Sequence, residues 1–180
     1  MNDNRGRVLL VTGVPGSGKT TIMKKVAAAL SGKRIRGFVT GEIREAGRRV
    51  GFELSMFTGD KRLLAHIDID SRDRVGRYGV DVATLDEIAE EALIRDDGTD
   101  IYLVDEIGKM ECFSKKFRAA MRDLLDSGRP LVATVALRGG GFIAEVKGRA
   151  GVEIWEVTKA NRNEMPARIL RWLDRWYNEP

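Results

Sequence analysis

Gly13-Val14-Pro15-Gly16-Ser17-Gly18-Lys19-Thr20 stands directly behind the apolar run Val8-Leu9-Leu10-Val11 and fills every fixed position of the pattern G-x-x-x-x-G-K-[ST]. The pattern belongs to a strand, a tight loop and a helix that together hold phosphate. Gly13, Gly16 and Gly18 let the backbone turn its N–H groups inward as an anion nest. Lys19 reaches the β- and γ-phosphates, and Thr20 opens a helix where its hydroxyl can ligate Mg²⁺ beside the partial positive charge of the helix end. The strand before and the helix after are both legible, since Ile22, Val26, Ala29 and Leu30 repeat at helical spacing before Ser31-Gly32.

Outward from this loop the chain alternates strand and helix. Ile35 to Ile43, Val50 to Phe57 and Leu63 to Ile67, broken at Ala46-Gly47 and Gly59-Asp60, predict an antiparallel meander. Thr84-Leu85-Asp86-Glu87 reads as a capping-box start of a helix with Leu85, Ile88, Ala89, Ala92 and Leu93 inward. Ile101 to Val104, Leu131 to Val135 and Val152 to Val157 read as strands. Phe113, Phe117, Met121, Leu124 and Leu125, and later Met165, Ile169, Trp172, Leu173 and Trp176, mark two amphipathic helices. The expected fold is α/β, a P-loop arrangement with a mostly parallel sheet, an antiparallel β extension and helices on both faces. With 180 residues and 43% hydrophobic content, the expectation is a single domain over 1–180.

Lys and Arg exceed Asp and Glu by 31 to 27, a mild excess spread along the chain that suits a polyphosphate ligand and gives nucleic-acid binding no support. One cysteine, Cys112, cannot form an internal disulfide. No apolar run reaches membrane-spanning length, and Met1-Asn2-Asp3-Asn4 leads into a strand rather than a signal-type core. The expectation is a cytoplasmic protein without a membrane partner.

Asp105-Glu106 closes the buried strand at its carboxyl end, where α/β sheets bind ligands. Asp105 is read as the second metal ligand with Thr20, and Glu106 as the carboxylate that deprotonates a water for attack on the γ-phosphorus. Lys109 is a candidate for neutralising transition-state charge, with Arg44, Arg72, Arg74, Arg77 and Arg138 as other sources. Asp105-Glu106-Ile107-Gly108 also reads as D-x-x-G, yet no N-K-x-D follows to read guanine: Thr158-Lys159-Ala160-Asn161 lacks both order and aspartate. Glu42 and Arg44 share one face of a strand, as a site-lining pair or a cross-strand ion pair. Asn161-Arg162 either approaches the base, Arg162 stacking on it, or Asn161 caps a helix. His66, Cys112 and the Trp172/Trp176 stripe read as structural.

The phosphate loop, VDEIGKMECFSKKF from Val104 to Phe117, GFVTGEIREAGRRVGFEL from Gly37 to Leu54, VGRYGVDV from Val75 to Val82 and TKANRNEMP near the end resemble the THEP-type nucleoside-triphosphatase family. The resemblance covers nearly the whole chain and implies slow, base-tolerant, Mg²⁺-assisted hydrolysis of ATP, GTP, CTP and UTP to the diphosphate and phosphate. The nucleotide site it implies comprises Gly13, Val14, Pro15, Gly16, Ser17, Gly18, Lys19 and Thr20 with Leu103, Val104, Asp105, Glu106, Ile107, Gly108, Lys109 and Met110. The chain departs from the family at Arg138-Gly139-Gly140-Gly141-Phe142, a stretch read as a lid. A nucleoside or nucleotide kinase and a nucleotide-dependent switch acting on RNA or on a protein partner are the alternative functions.

Overall fold

A computed structural model describes residues 7–177, so Met1-Asn2-Asp3-Asn4 lies outside the described residues. Nine strands form one sheet. In chain order they are β1 (Val8–Thr12), β2 (Ile35–Glu45), β3 (Arg48–Met56), β4 (Lys61–His66), β5 (Arg74–Val75), β6 (Tyr78–Val80), β7 (Ile101–Ile107), β8 (Leu131–Val135) and β9 (Val152–Glu156). The helices are α1 (Lys19–Ala29), α2 (Val82–Ala92), α3 (Lys115–Leu125), α4 (Phe142–Lys147) and α5 (Met165–Tyr177).

The sheet order is β5-β6-β4-β3-β2-β7-β8-β1-β9. From β2 to β9 every neighbour is parallel, and from β2 to β5 every neighbour is antiparallel. Strand β2 belongs to both halves, so its 11 residues carry the chain from the central sheet into the extension. The short pair β5 and β6 was not expected from the sequence, because two- and three-residue strands leave no readable alternation.

Side chains of the central strands alternate between two apolar layers, as a sheet covered on both faces requires. Val8 and Leu10 of β1, with Tyr102 and Val104 of β7, join α2, α3 and α4. Leu9 and Val11, with Leu103, face α1 and α5, where Trp172 is fully buried. The helix after β6 starts earlier than its expected capping box. Asp81, not Thr84, is the N-cap, accepting from the Thr84 N–H at 3.1 Å. Glu87 is turned away to Arg62 on β4, 2.6 Å distant, so it cannot reach back to the cap. The face Leu85, Ile88, Ala89, Ala92 and Leu93 is buried as expected.

Candidate active site

The loop between β1 and α1 holds its shape through backbone packing. A methyl group at Gly13 would come within 2.6 Å of the Val157 carbonyl oxygen, so only glycine admits the segment after β9 this close. Gly18 caps α1 with φ 105° and no side-chain hydrogen bond, which leaves the first N–H groups of the helix open to an anion. Lys19 curls over the loop and donates to the Gly13 carbonyl at 2.9 Å. The Ser17 hydroxyl is buried without a protein partner, as a group awaiting a phosphate oxygen would be.

Facing this nest, β7 delivers Asp105 and Glu106 where the β7–β8 pairing shifts between Val104 and Ile107. Asp105 is 1% exposed. Its Oδ2 accepts from the Thr20 hydroxyl at 2.6 Å and its Oδ1 from the Thr134 hydroxyl of β8 at 2.5 Å. The Thr40 hydroxyl of β2 donates to the Asp105 carbonyl. One aspartate, through its carboxylate and its carbonyl, is thus tied to the phosphate loop and both neighbouring strands. Thr134 carried a signal in the sequence, a lone hydroxyl residue inside the run Leu131 to Val135; Thr40 carried none.

Glu106, half-buried, turns into the cleft beside it. Burial pushes its carboxyl above the ordinary range, the Lys19 ammonium pulls it back, and the Asp105 charge pushes it up again. Gly108 separates it from a third acid. A methyl group there would meet Oε1 of Glu106 and Oε2 of Glu111 at 2.9 Å each. Glu111, 3% exposed, accepts from the Gly108 N–H at 3.1 Å. Its carboxyl is pushed up to about 8, chiefly by burial and then by the Glu106 charge. Glu111 carries no signal of its own in the sequence.

These groups open onto a cavity of about 620 Å³ walled by Pro15, Gly16, Gly18, Lys19 and Thr20 on one side and by Asp105, Glu106, Lys109, Met110 and Glu111 on the other. Other expected site residues lie elsewhere. Leu103, Val104 and Ile107 are wholly buried with their side chains in the two apolar layers, since a central strand spends them on packing. Val14 projects into solvent. Of the five candidate arginines only Arg138 borders the cavity. Arg44 bonds Glu42 at 2.6 Å, joined there by Arg49 at 2.8 Å, and both hold that carboxyl below its usual range. Arg74 and Arg77 are bonded to backbone carbonyls around β5 and β6, and the Arg77 contact reaches Arg49.

The Arg138 to Phe142 stretch leads straight into α4. Lys147 of that helix donates to the carbonyls of Ala136 and Leu137 at 2.6 and 2.9 Å, which anchors the segment at the cavity edge. Asn161 is not a side-chain cap for α5. Its amide donates to the Glu156 carbonyl and its oxygen accepts from the Thr158 N–H, both at 2.9 Å, closing the loop after β9. Arg162, exposed, has its Cδ 3.8 Å from where a Gly18 methyl would stand. Cys112 is partly buried, and burial pushes its thiol up to about 11, far from a nucleophile's range.

The donor set suits a hard cation. A threonine hydroxyl and a single carboxylate oxygen converge at the nest, and no cluster of three or more His, Cys, Asp or Glu exists among the described residues. Mg²⁺ is one such cation, since it keeps waters and takes one or two carboxylates plus substrate phosphates. A phosphate nest between β1 and α1, faced by an acidic strand end at the carboxyl edge of a parallel sheet, defines a P-loop NTPase. The NTPase family profile matches residues 8–170. Nucleoside-triphosphatase THEP1 of Thermotoga maritima is 39% identical over 166 residues, covering 92% of this chain and 94% of its own. The crystal structure of THEP1 from Aquifex aeolicus superposes with a TM-score of 0.83 at 36% identity, over 92% of this chain and 98% of the other. The solution structure of a human cancer-related nucleoside triphosphatase does so with 0.79 at 33%, over 93% and 97%. The chain belongs to the THEP1 nucleoside-triphosphatase family. No helix among the described residues is long and apolar enough to cross a membrane.

Proposed function

We propose that the chain hydrolyses ATP, GTP, CTP and UTP to the diphosphate and phosphate with Mg²⁺, with little preference for the base. The observation that carries this reading is Glu106, desolvated on the cavity wall beside Asp105 and within electrostatic reach of Lys19. The backbone from Gly13 to Gly18 and the open end of α1 bind the phosphates, and Lys19 moves from the Gly13 carbonyl to the β- and γ-oxygens. Thr20 and Asp105 would hold Mg²⁺, which when bound neutralises charge on the β- and γ-phosphates.

Glu106 accepts a proton from water as the water oxygen attacks the γ-phosphorus, and the bond to the bridging oxygen breaks toward the diphosphate. Lys109 and Arg138, both at the cavity edge, supply positive charge as the phosphoryl group transfers. Arg162, supported by the Asn161 loop, offers a flat cation on which any base can stack. We place this activity in the cytoplasm, where a lone thiol such as Cys112 stays reduced.

Phosphate release from each of the four triphosphates with Mg²⁺, and with the metal chelated, tests the reading. Glu106→Gln is expected to lower turnover roughly 100-fold or more while nucleotide binding persists, the scale of general-base loss. Unchanged turnover in that variant would move the base elsewhere.

A further inference from the structure

The cavity has two chemically unlike ends. The nucleoside side of the phosphate loop is taken up by the segment after β9, with the Val157 carbonyl against Gly13 and Arg162 beside Gly18. None of residues 157–162 contributes to the cavity wall, which runs in the opposite direction, past Glu106. There the lining changes from polar to apolar: Phe52 of β3, Leu64 of β4, Val75 of β5 and Met110. A lytic water needs about 30 Å³ and gains nothing from apolar walls. The whole cavity, phosphate end included, is about 620 Å³, within the range of small-molecule sites.

Aromatic and cationic contacts brace the apolar end. The Phe52 ring meets Tyr78 edge-on at 5.1 Å, and the Arg49 guanidinium lies over it at 5.0 Å. Arg49 also fixes Glu42, whose carboxylate stands on the rim of the same cavity. An aromatic wall and a held carboxylate lining one cavity suit a flat ring joined to a hydroxyl-bearing group.

We propose that this end is an acceptor subsite for a nucleoside, a flat base linked to a hydroxyl-bearing sugar, and that the protein transfers the γ-phosphoryl group to that sugar hydroxyl in competition with water. The proposal rests on Glu106 as the base. The acceptor oxygen attacks the γ-phosphorus, its proton passes to the Glu106 carboxylate, and the bond to the bridging oxygen breaks with its electron pair leaving on the diphosphate. A phosphomonoester and a nucleoside diphosphate result, with no redox partner.

The test incubates the full chain with γ-labelled ATP and Mg²⁺, alone and with adenosine, thymidine or uridine at millimolar concentration, and separates nucleoside monophosphate from free phosphate. At least one nucleoside is expected to yield labelled monophosphate at the expense of free phosphate. Val75→Trp, which fills the apolar end from a half-buried position on the outermost strand, is expected to lower the ratio of monophosphate to phosphate at least tenfold. Free phosphate alone with all three nucleosides overturns the acceptor subsite and leaves hydrolysis standing. Monophosphate without phosphate from ATP alone supports the subsite and overturns the hydrolase reading. An unchanged product ratio in Val75→Trp also overturns the placement.

Discussion

Three carboxyls on a seven-residue stretch are sorted by their surroundings. Asp105 is held by Thr20, Thr40 and Thr134, which fixes its position at the end of β7. Glu106 faces the cavity with its charge opposed by burial and supported by Lys19. Glu111 is enclosed and faces two other acids, so its protonated form is the one the fold prefers. Its ordinary value of 4.5 is raised to about 8, so the folded state binds more protons than the unfolded chain across that window. This contribution to stability is full below 4.5 and is lost as pH rises toward about 8. Glu111→Gln has no proton to lose, so the melting temperature of the parent should fall more steeply between pH 5 and 8 than that of the variant. Parallel slopes would count against the assignment. The sequence offers separate roles for Asp105 and Glu106 but none for Glu111, because the enclosure of Glu111 and the anchoring of Asp105 depend on what Gly108 brings together and on which groups of β2 and β8 lie beside β7.

Among the elements, the helix after β6 shows how a cap is chosen. Thr84-Leu85-Asp86-Glu87 satisfies the capping-box pattern, but Asp81 lies where β6 ends and takes the Thr84 N–H and hydroxyl at 3.1 Å each. Geometry at the strand end thus overrides the local pattern. Asp81→Ala should lower unfolding free energy by about 1 kcal/mol in urea titration, and Glu87→Ala should have a much smaller effect. The reverse order would restore Thr84 as the cap. Helix α3 is the simpler case: Ser114 accepts from the Phe117 N–H at 2.9 Å, and Phe117, Met121 and Leu124 are buried as their spacing predicts. Helix α4 escaped the sequence reading because its six residues follow three glycines and give too few turns for a period to show.

Across the whole molecule, the two apolar layers share the same strands, so neither half of the protein should melt alone. All three tryptophans report one layer, with Trp172 inside it and Trp155 and Trp176 packed against it, whereas far-UV circular dichroism reports every helix. The two signals are expected to give one coincident transition, and Trp172→Ala, at a cost of about 3–5 kcal/mol, should shift both together. Separate transitions would divide the chain into independent units. By itself the sequence determined the phosphate nest, the acidic strand end, the order of the longer strands and helices and the buried faces of those helices. Those features are written in spacing along a continuous stretch, and chemistry at fixed spacing needs no distant partner. Only the tertiary structure decided that Thr134 and Thr40 hold Asp105, that Glu111 is enclosed, and that β3, β4 and β5 wall an apolar end of the cavity. Each of these joins residues tens of positions apart, and a one-dimensional pattern does not record which strand lies beside which.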